Sequence, residues 1–425
     1  LEQKLKRNVS LKAIEAIVTI AASFLQLCFI TRCYPPAEVG QYQLILAWLY
    51  LVTAASCFGG IVMVATRELS RCNPADERRI FSAALTLQII VGIVLTLVCI
   101  PVFYQTTYFS ALALPLSIGT VTLLCAMILQ LSQALLISKE RISSVVLGSI
   151  VGHLVATCAV IIAASQKLSV GMLVVAWAIY NVVNGAVLLY QTAAWRLVSI
   201  KDVTISEVRQ LARDVSPILL MVIATHLYVR LDVIMLGVFI NPGVVAQYSV
   251  GYLFLDQLMI LSNFMIGALF PNFSRACISH GRDYQVLYHG ILKLFLKYLV
   301  PIALLIAVFS KSLLGAIYGL EYAASWGSLS VLMLAALFAW LNGPSGTIFI
   351  SLNKQHINMW ATFLSLMVNA VCNLVLIPAI GAIGAAVSTV LTEAALCSFC
   401  LWFIYQETKY LPWRRPSGVE GAKVF

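Results

Sequence analysis

Long apolar stretches, broken by short polar ones, set the pattern of this chain. Ile89–Cys99, IIVGIVLTLVC, carries one hydroxyl and no charge. A strand of a membrane barrel alternates apolar and polar positions. These stretches do not, so they predict helices. About 20 apolar residues, each rising 1.5 Å, cross a hydrocarbon core of about 30 Å. Runs of that length lie near 10–33, 43–66, 80–104, 112–137, 144–164, 170–191, 215–240, 247–271, 291–317, 327–351, 357–378 and 381–405. The prediction is an all-α polytopic membrane protein with twelve transmembrane helices.

Composition narrows the function. Of the 425 residues, 61% are hydrophobic and only 10% charged, against about 25% charged in a soluble domain. A water-soluble enzyme, a nucleic-acid binder and a disordered chain are excluded. No small-residue cleavage site follows the first apolar run, which therefore reads as a retained span and not a signal peptide. Most of the eleven cysteines sit inside apolar runs, where a thiol acts as a small hydrophobe. Cys397 and Cys400 form a C-x-x-C without a second pair or a nearby His. Zinc needs four ligands, so no metal site is expected.

The net charge of +10 has a topological source. With the N-terminus placed in the cytoplasm, 23 Lys and Arg fall on the inner side, and Arg32, Lys167 and Lys311 outside. Arg230 lies within a span. Such a bias sets orientation. It predicts a multi-pass protein with both termini cytoplasmic, and no polyanion partner such as nucleic acid.

The chain also repeats. YPPAEVGQY at Tyr34–Tyr42 and INPGVVAQY at Ile240–Tyr248 align at an offset of 206, matching Pro36 with Pro242, Val39 with Val245, Gln41 with Gln247 and Tyr42 with Tyr248. Six spans per unit is an even number, so both units enter the membrane in the same sense. This predicts two six-helix lobes related by a parallel pseudo-two-fold. The N-terminal lobe would be 1–194 and the C-terminal lobe 215–425. A cytoplasmic amphipathic linker, 195–214, would join them, with Val203, Val208 and Leu211 among charged neighbours.

PPAEVGQY at Pro35–Tyr42, RELSR at Arg67–Arg71, RLDVIMLG at Arg230–Gly237, PNFSR at Pro271–Arg275, YGLEYA at Tyr318–Ala323 and GAIGAA at Gly381–Ala386 together resemble the polysaccharide transporters of the multidrug/oligosaccharidyl-lipid/polysaccharide exporter superfamily. The resemblance is specifically to the Wzx-type O-antigen flippases, and it covers nearly the whole chain. It implies a V-shaped protein with a central cavity in the bacterial inner membrane. It also implies a function: moving undecaprenyl-pyrophosphate-linked oligosaccharide from the cytoplasmic to the periplasmic leaflet. Its partners would be that substrate, membrane lipid, a polysaccharide polymerase and a chain-length regulator. A cation-coupled multidrug exporter is the alternative within the superfamily. A membrane polymerase or ligase fits less well, because the outside loops are short. No Gly-rich phosphate loop with Lys and no H-E-x-x-H is present, so catalysis and a nucleotide motor are not expected, and no cofactor beyond a coupling H⁺ or Na⁺.

Buried polar groups are costly in a membrane and should face protein or water. Helical spacing groups Glu15, Thr19 and Gln26 in span 1, Tyr50, Thr53, Cys57 and Gly60 in span 2, and Ser149, His153 and Thr157 in span 5. It likewise groups Trp177, Asn181 and Asn184 in span 6, and Ser365, Asn369 and Asn373 in span 11. Such stripes line a hydrated cavity or bond neighbouring helices. Arg32, Arg67 and Arg230 are the candidates for phosphate, since a guanidinium fork bonds phosphate oxygens bidentately. Tyr50, Trp177, Asn181, Asn369 and Asn373 are the candidates for sugar. Glu15, Asp232 and Asp256 are the candidates for ion coupling. Arg230 and Asp232 are about 200° apart around a helix, so Asp256 is the expected partner of Arg230. That leaves Glu15 and Asp232, without an Arg neighbour, as the better proton carriers. WLNGPSG at Trp340–Gly346 is expected to break or kink span 10.

Overall fold

The computed structural model describes residues 2–73, 76–105, 112–199, 203–278, 283–352 and 354–408. Every regular element among them is a helix: α1 (Glu2–Cys33), α2 (Pro36–Ala55), α3 (Phe58–Leu69), α4 (Glu77–Gln105), α5 (Ala113–Gln130), α6 (Gln133–Ser138), α7 (Ile142–Ser165), α8 (Val170–Thr192), α9 (Ile205–Phe239), α10 (Pro242–Ile278), α11 (Asp283–Leu294), α12 (Val300–Val308), α13 (Ser310–Tyr318), α14 (Trp326–Ser351) and α15 (Gln355–Thr408). Eleven stretches are long and apolar enough to cross a membrane. The last of these, in α15, is bent at Ile380 and Gly381, with Gly381 at φ 59°. It therefore supplies two spans, and the described chain carries the twelve expected from run length.

Helix faces explain why such a chain suits lipid. Ile89, Ile90, Ile93, Val94, Leu97 and Val98 of α4 are all exposed, Leu97 by 68%. In water such a stripe would be an aggregation site; acyl chains solvate it. Helix packing inside the membrane then depends on small residues that let backbones approach. Gly148 and Gly152 of α7 do this against α8. A Cβ at Gly148 would lie 2.7 Å from Asn184 Oδ1, and one at Gly152 3.0 Å from the Tyr180 backbone oxygen.

The chain divides into two compact units, Leu1–Arg230 and Leu231–Phe425. The sequence repeat recurs in their helix boundaries. α1 ends at Cys33 and α9 at Phe239; α2 begins at Pro36 and α10 at Pro242. All four follow the offset of 206. Proline suits the first helical turn, because its missing N–H has no intrahelical acceptor there. Val39 and Val245 are fully buried, as are Tyr42 and Tyr248 to within 3%.

Two features differ from the sequence expectation. Span 2 is interrupted: α2 stops at Ala55, and Cys57 adopts left-handed φ 48°, ψ 27° before α3 begins. Ser56 Oγ accepts from the Phe58 N–H at 3.3 Å across the break. A non-glycine residue in that region costs about 1–3 kcal/mol; the sequence marks the break only indirectly, through Gly59 and Gly60 just beyond it. Span 10 is not broken: α14 continues through Gly343 and Pro344. Near the proline, the Leu341 carbonyl accepts a hydrogen bond from Tyr288 Oη, which helps satisfy backbone that the proline disturbs. Residues 205–214, part of the expected amphipathic linker, are helical. They are the first turns of α9, whose 35 residues extend about 52 Å, well beyond the hydrocarbon core. A capping box starts it: Thr204 N–H donates to Glu207 Oε2 at 2.9 Å, and Glu207 N–H to Thr204 Oγ1 at 3.4 Å. Leu211 and Val215 then pack with Ile61, Val64, Phe81 and Leu131.

The bend in α15 yields a stability prediction. A Cβ at Gly384 would lie 2.2 Å from the Leu376 carbonyl oxygen, and backbone cannot step aside as a flexible side chain can. Gly384→Ala should therefore destabilise by about 1–3 kcal/mol, in the range of overpacking. Gly315→Ala, whose Cβ would meet nothing nearer than 3.7 Å, is the control. Thermal unfolding in detergent measures both; equal melting points would refute the clash.

Candidate functional site

In the first unit, the polar stripes of α1 and α7 face each other. Thr19 Oγ1 and His153 Nε2 are 3.1 Å apart, and Gln26 Nε2 donates to Thr157 Oγ1 at 3.0 Å. The i, i+4 spacing of His153 and Thr157 explains why two contacts form along one seam. Interhelical bonding thus accounts for these four residues. The wall continues from them. His153 stacks on Tyr180 of α8 with ring centroids 4.3 Å apart. Tyr180 lies within electrostatic reach of Glu15 and Tyr50.

Tyr50 of α2 is the centre of an aromatic–cation group. Trp177 meets it edge to face at 6.2 Å. The Arg230 guanidinium carbon sits 4.7 Å from its ring centroid, within cation–π range. Arg230, Tyr50, Trp177, Tyr180, His153 and Glu15 are all half-buried. Each keeps a partly open surface while its partners hold its position. The group offers a planar cation and several aromatic faces beside one carboxylate. That combination can bind an anion and stack a sugar ring.

Glu15 is not the unaccompanied acid expected from the absence of a nearby Arg. Lys12, three residues earlier on the same helix, pairs with it at 2.6 Å. Asn181 is engaged by α5: Gln130 Nε2 donates to its backbone oxygen at 2.9 Å and its side-chain oxygen at 3.1 Å. Arg67 and Arg32 lie apart from the group, both exposed. Arg67 pairs with Glu68 at 2.8 Å and Asp214 at 3.1 Å, and Arg32 occupies the last turn of α1.

In the second unit Asp232, 2% exposed, accepts from Tyr248 Oη and from the Val233 N–H at 2.8 Å. Tyr248 also approaches Thr389 Oγ1 at 3.4 Å. Glu393, one turn beyond Thr389 on α15, is buried too. Asp256 is half-buried on α10. Asn369 and Asn373 are buried and bonded to each other, with 2.8 Å from Nδ2 to Oδ1.

Tyr180 and Thr389 were not singled out from the sequence. Tyr180 was accessible to the spacing argument, since it falls three residues after Trp177 and beside Asn181. Thr389 was not: it stands among Ser388 and Thr392 in an otherwise small and apolar segment, and only Tyr248 from another helix marks it.

The profile of the polysaccharide biosynthesis proteins matches residues 5–277, well over half the chain and both sets of boundary residues of the repeat. The chain belongs to this family. A probable low-salt glycan biosynthesis flippase of Haloferax volcanii is 25% identical over 222 residues, 51% of this chain and 46% of that protein. The chain spans less than half the length of the curated relatives it matches. Among solved structures, the inward-facing conformation of a multidrug resistance MATE family transporter, of the MOP superfamily, has a TM-score of 0.76 at 11% identity. The match covers 94% of this chain and 98% of that one. The lipid II flippase MurJ, in an inward closed conformation, has a TM-score of 0.73 at 9% identity, covering 92% and 87%. At such identities the likeness establishes the fold: this family member is a multi-pass helical membrane protein with a transporter fold.

Proposed function

We propose that the chain flips a lipid-linked oligosaccharide, and in the finer form an undecaprenyl-pyrophosphate-linked O-antigen or related repeat unit. Transport would run from the cytoplasmic to the periplasmic leaflet of a bacterial inner membrane, by alternating access of the 1–194 and 215–425 lobes and with an ion gradient as drive. The observation that carries this reading is Arg230 held over Tyr50 beside Trp177. The guanidinium suits a pyrophosphate and the rings suit sugars. The named glycan flippase among the relatives supports it. Arg32 and Arg67, at span ends, would meet the phosphates at earlier or later stages. Asn181, Asn369 and Asn373 would serve sugars once their present bonds exchange. Asp232, Asp256 and Glu15 are the coupling candidates. The periplasmic polymerase and chain-length regulator would be its partners.

A multidrug exporter is the second reading, favoured by the half-buried Glu15 near Tyr180, an acid and an aromatic suited to organic cations. Proteoliposomes decide between them. A flippase moves a fluorescent pyrophosphate-linked oligosaccharide and ignores ethidium; the exporter does the reverse.

Sidedness is tested by cysteine labelling in a variant lacking the eleven native cysteines. Cysteine at Lys139 should react only from the cytoplasmic face and cysteine at Lys167 only from the opposite face. Periplasmic labelling at 139 would reverse the orientation.

A further inference from the structure

A cavity of about 300 Å³ lies between α4 and the first turns of α9, lined by Thr86, Ile90, Ile205, Val208, Arg209 and Ala212 among others. It is apolar apart from one guanidinium and one hydroxyl. None of these residues belongs to the Tyr50–Arg230 group. The exposed aliphatic stripe of α4, Ile89, Ile93 and Val94, adjoins it, so its mouth is on the face that meets acyl chains. Ile205 lines it while remaining 83% exposed.

The charges at its rim are unevenly used. Arg67 pairs with Asp214 at 3.1 Å, and Asp214 also accepts from Gln210 at 3.1 Å. Arg79 pairs with Glu207, which is also the capping-box acid. These contacts occupy both acids of this helical segment. Arg209 and Arg213 are exposed and have no ion pair or side-chain hydrogen bond among the described residues. Four residues apart, they are neighbours on one helix face. Arg209 therefore lines an apolar cavity with Arg213 one turn further along the same helix face, both without an acidic partner among the described residues, at the end of α9 that the charge bias assigns to the cytoplasm. The cytoplasmic leaflet carries the anionic lipids.

We propose that this cavity binds one anionic glycerophospholipid of the surrounding bilayer. An acyl chain lies against Ile90, Ile205 and Val208, and the headgroup phosphate rests on Arg209 and Arg213. The guanidinium fork matches phosphate oxygens, and the acyl chain removes Ile205 from water. The bound lipid staples the overhanging turns of α9 to α4. The lipid-facing position of the mouth favours a bilayer lipid over the transported substrate as occupant.

Native mass spectrometry of the purified full chain tests this. The protein is incubated with equal amounts of phosphatidylglycerol and phosphatidylcholine of the same acyl chains. Wild type should retain one phosphatidylglycerol in preference. Arg209→Gln/Arg213→Gln should lose that preference by about tenfold. Ala212→Leu, which keeps both arginines but fills the cavity, should also lose retention. Lys311→Gln, remote in sequence and on the opposite predicted side, should behave as wild type. Equal retention of the two lipids by wild type overturns the proposal. So does unchanged retention by either cavity variant; for Ala212→Leu it would mean surface attraction alone. A further arm adds undecaprenyl phosphate. If it displaces phosphatidylglycerol at lower concentration, the site belongs to polyprenyl phosphates and the assignment is wrong. Should the double variant fail to fold, the single Arg209→Gln and Ala212→Leu carry the decision.

Discussion

Arg230→Ala is expected to slow transport of a pyrophosphate-linked oligosaccharide by roughly 10- to 150-fold in proteoliposomes, at unchanged protein level. The figure follows from a hydrogen bond to a charged group, about 1.5–3 kcal/mol, read as a rate or affinity ratio. Arg230→Lys should recover part of the loss. Lysine keeps the charge but presents a point donor in place of a planar fork. Tyr50 supplies the second arm of the argument. Its ring holds the guanidinium carbon at 4.7 Å, a contact worth about 0.5–2 kcal/mol. Tyr50→Phe should retain most activity and Tyr50→Leu should lose about as much as Arg230→Lys. Wild-type rates in both Arg230→Ala and Tyr50→Leu would remove this group from the transport path.

Asp232 is expected to separate stability from coupling. In Asp232→Ala the buried Tyr248 hydroxyl loses its carboxylate acceptor, at a cost of about 1–3 kcal/mol, so thermal stability should fall. Asp232→Asn keeps an oxygen for Tyr248 and removes the charge. It should melt close to wild type, yet its transport should no longer respond to an imposed pH or Na⁺ gradient. If the Asn variant responds as wild type does, or if wild type ignores both gradients, Asp232 has a structural role only. Thr389, which also meets Tyr248, provides a check: Thr389→Val should perturb stability less than Asp232→Ala, since its contact is long, at 3.4 Å.

The sequence alone determined the spans and their repeat. Length of apolar runs is a local property, because in hydrocarbon every backbone group must be satisfied within its own helix. That is why the helix ends at Cys33 and Phe239, and the starts at Pro36 and Pro242, fall at the repeated motifs. The stripes on spans 1 and 5 were also legible, for side-chain direction follows the helical period. Their partners were not. That Gln26 meets Thr157 and that Gln130 holds Asn181 depends on which helix lies alongside and at what height; the pairing of Lys12 with Glu15, three apart on one helix, was within reach of local spacing. That the left-handed residue is Cys57 itself, and not Gly59 or Gly60 beside it, was not legible: its strain is tolerated because packing around Ser56 and Met127 holds the break. The passage of α14 through Pro344 likewise depends on packing, since Tyr288 from another helix bonds the Leu341 carbonyl nearby. The sequence nominated Arg230 by its cost in the membrane; only the tertiary structure set it over Tyr50, because a guanidinium and a ring from helices about 180 residues apart meet through packing and through no local rule.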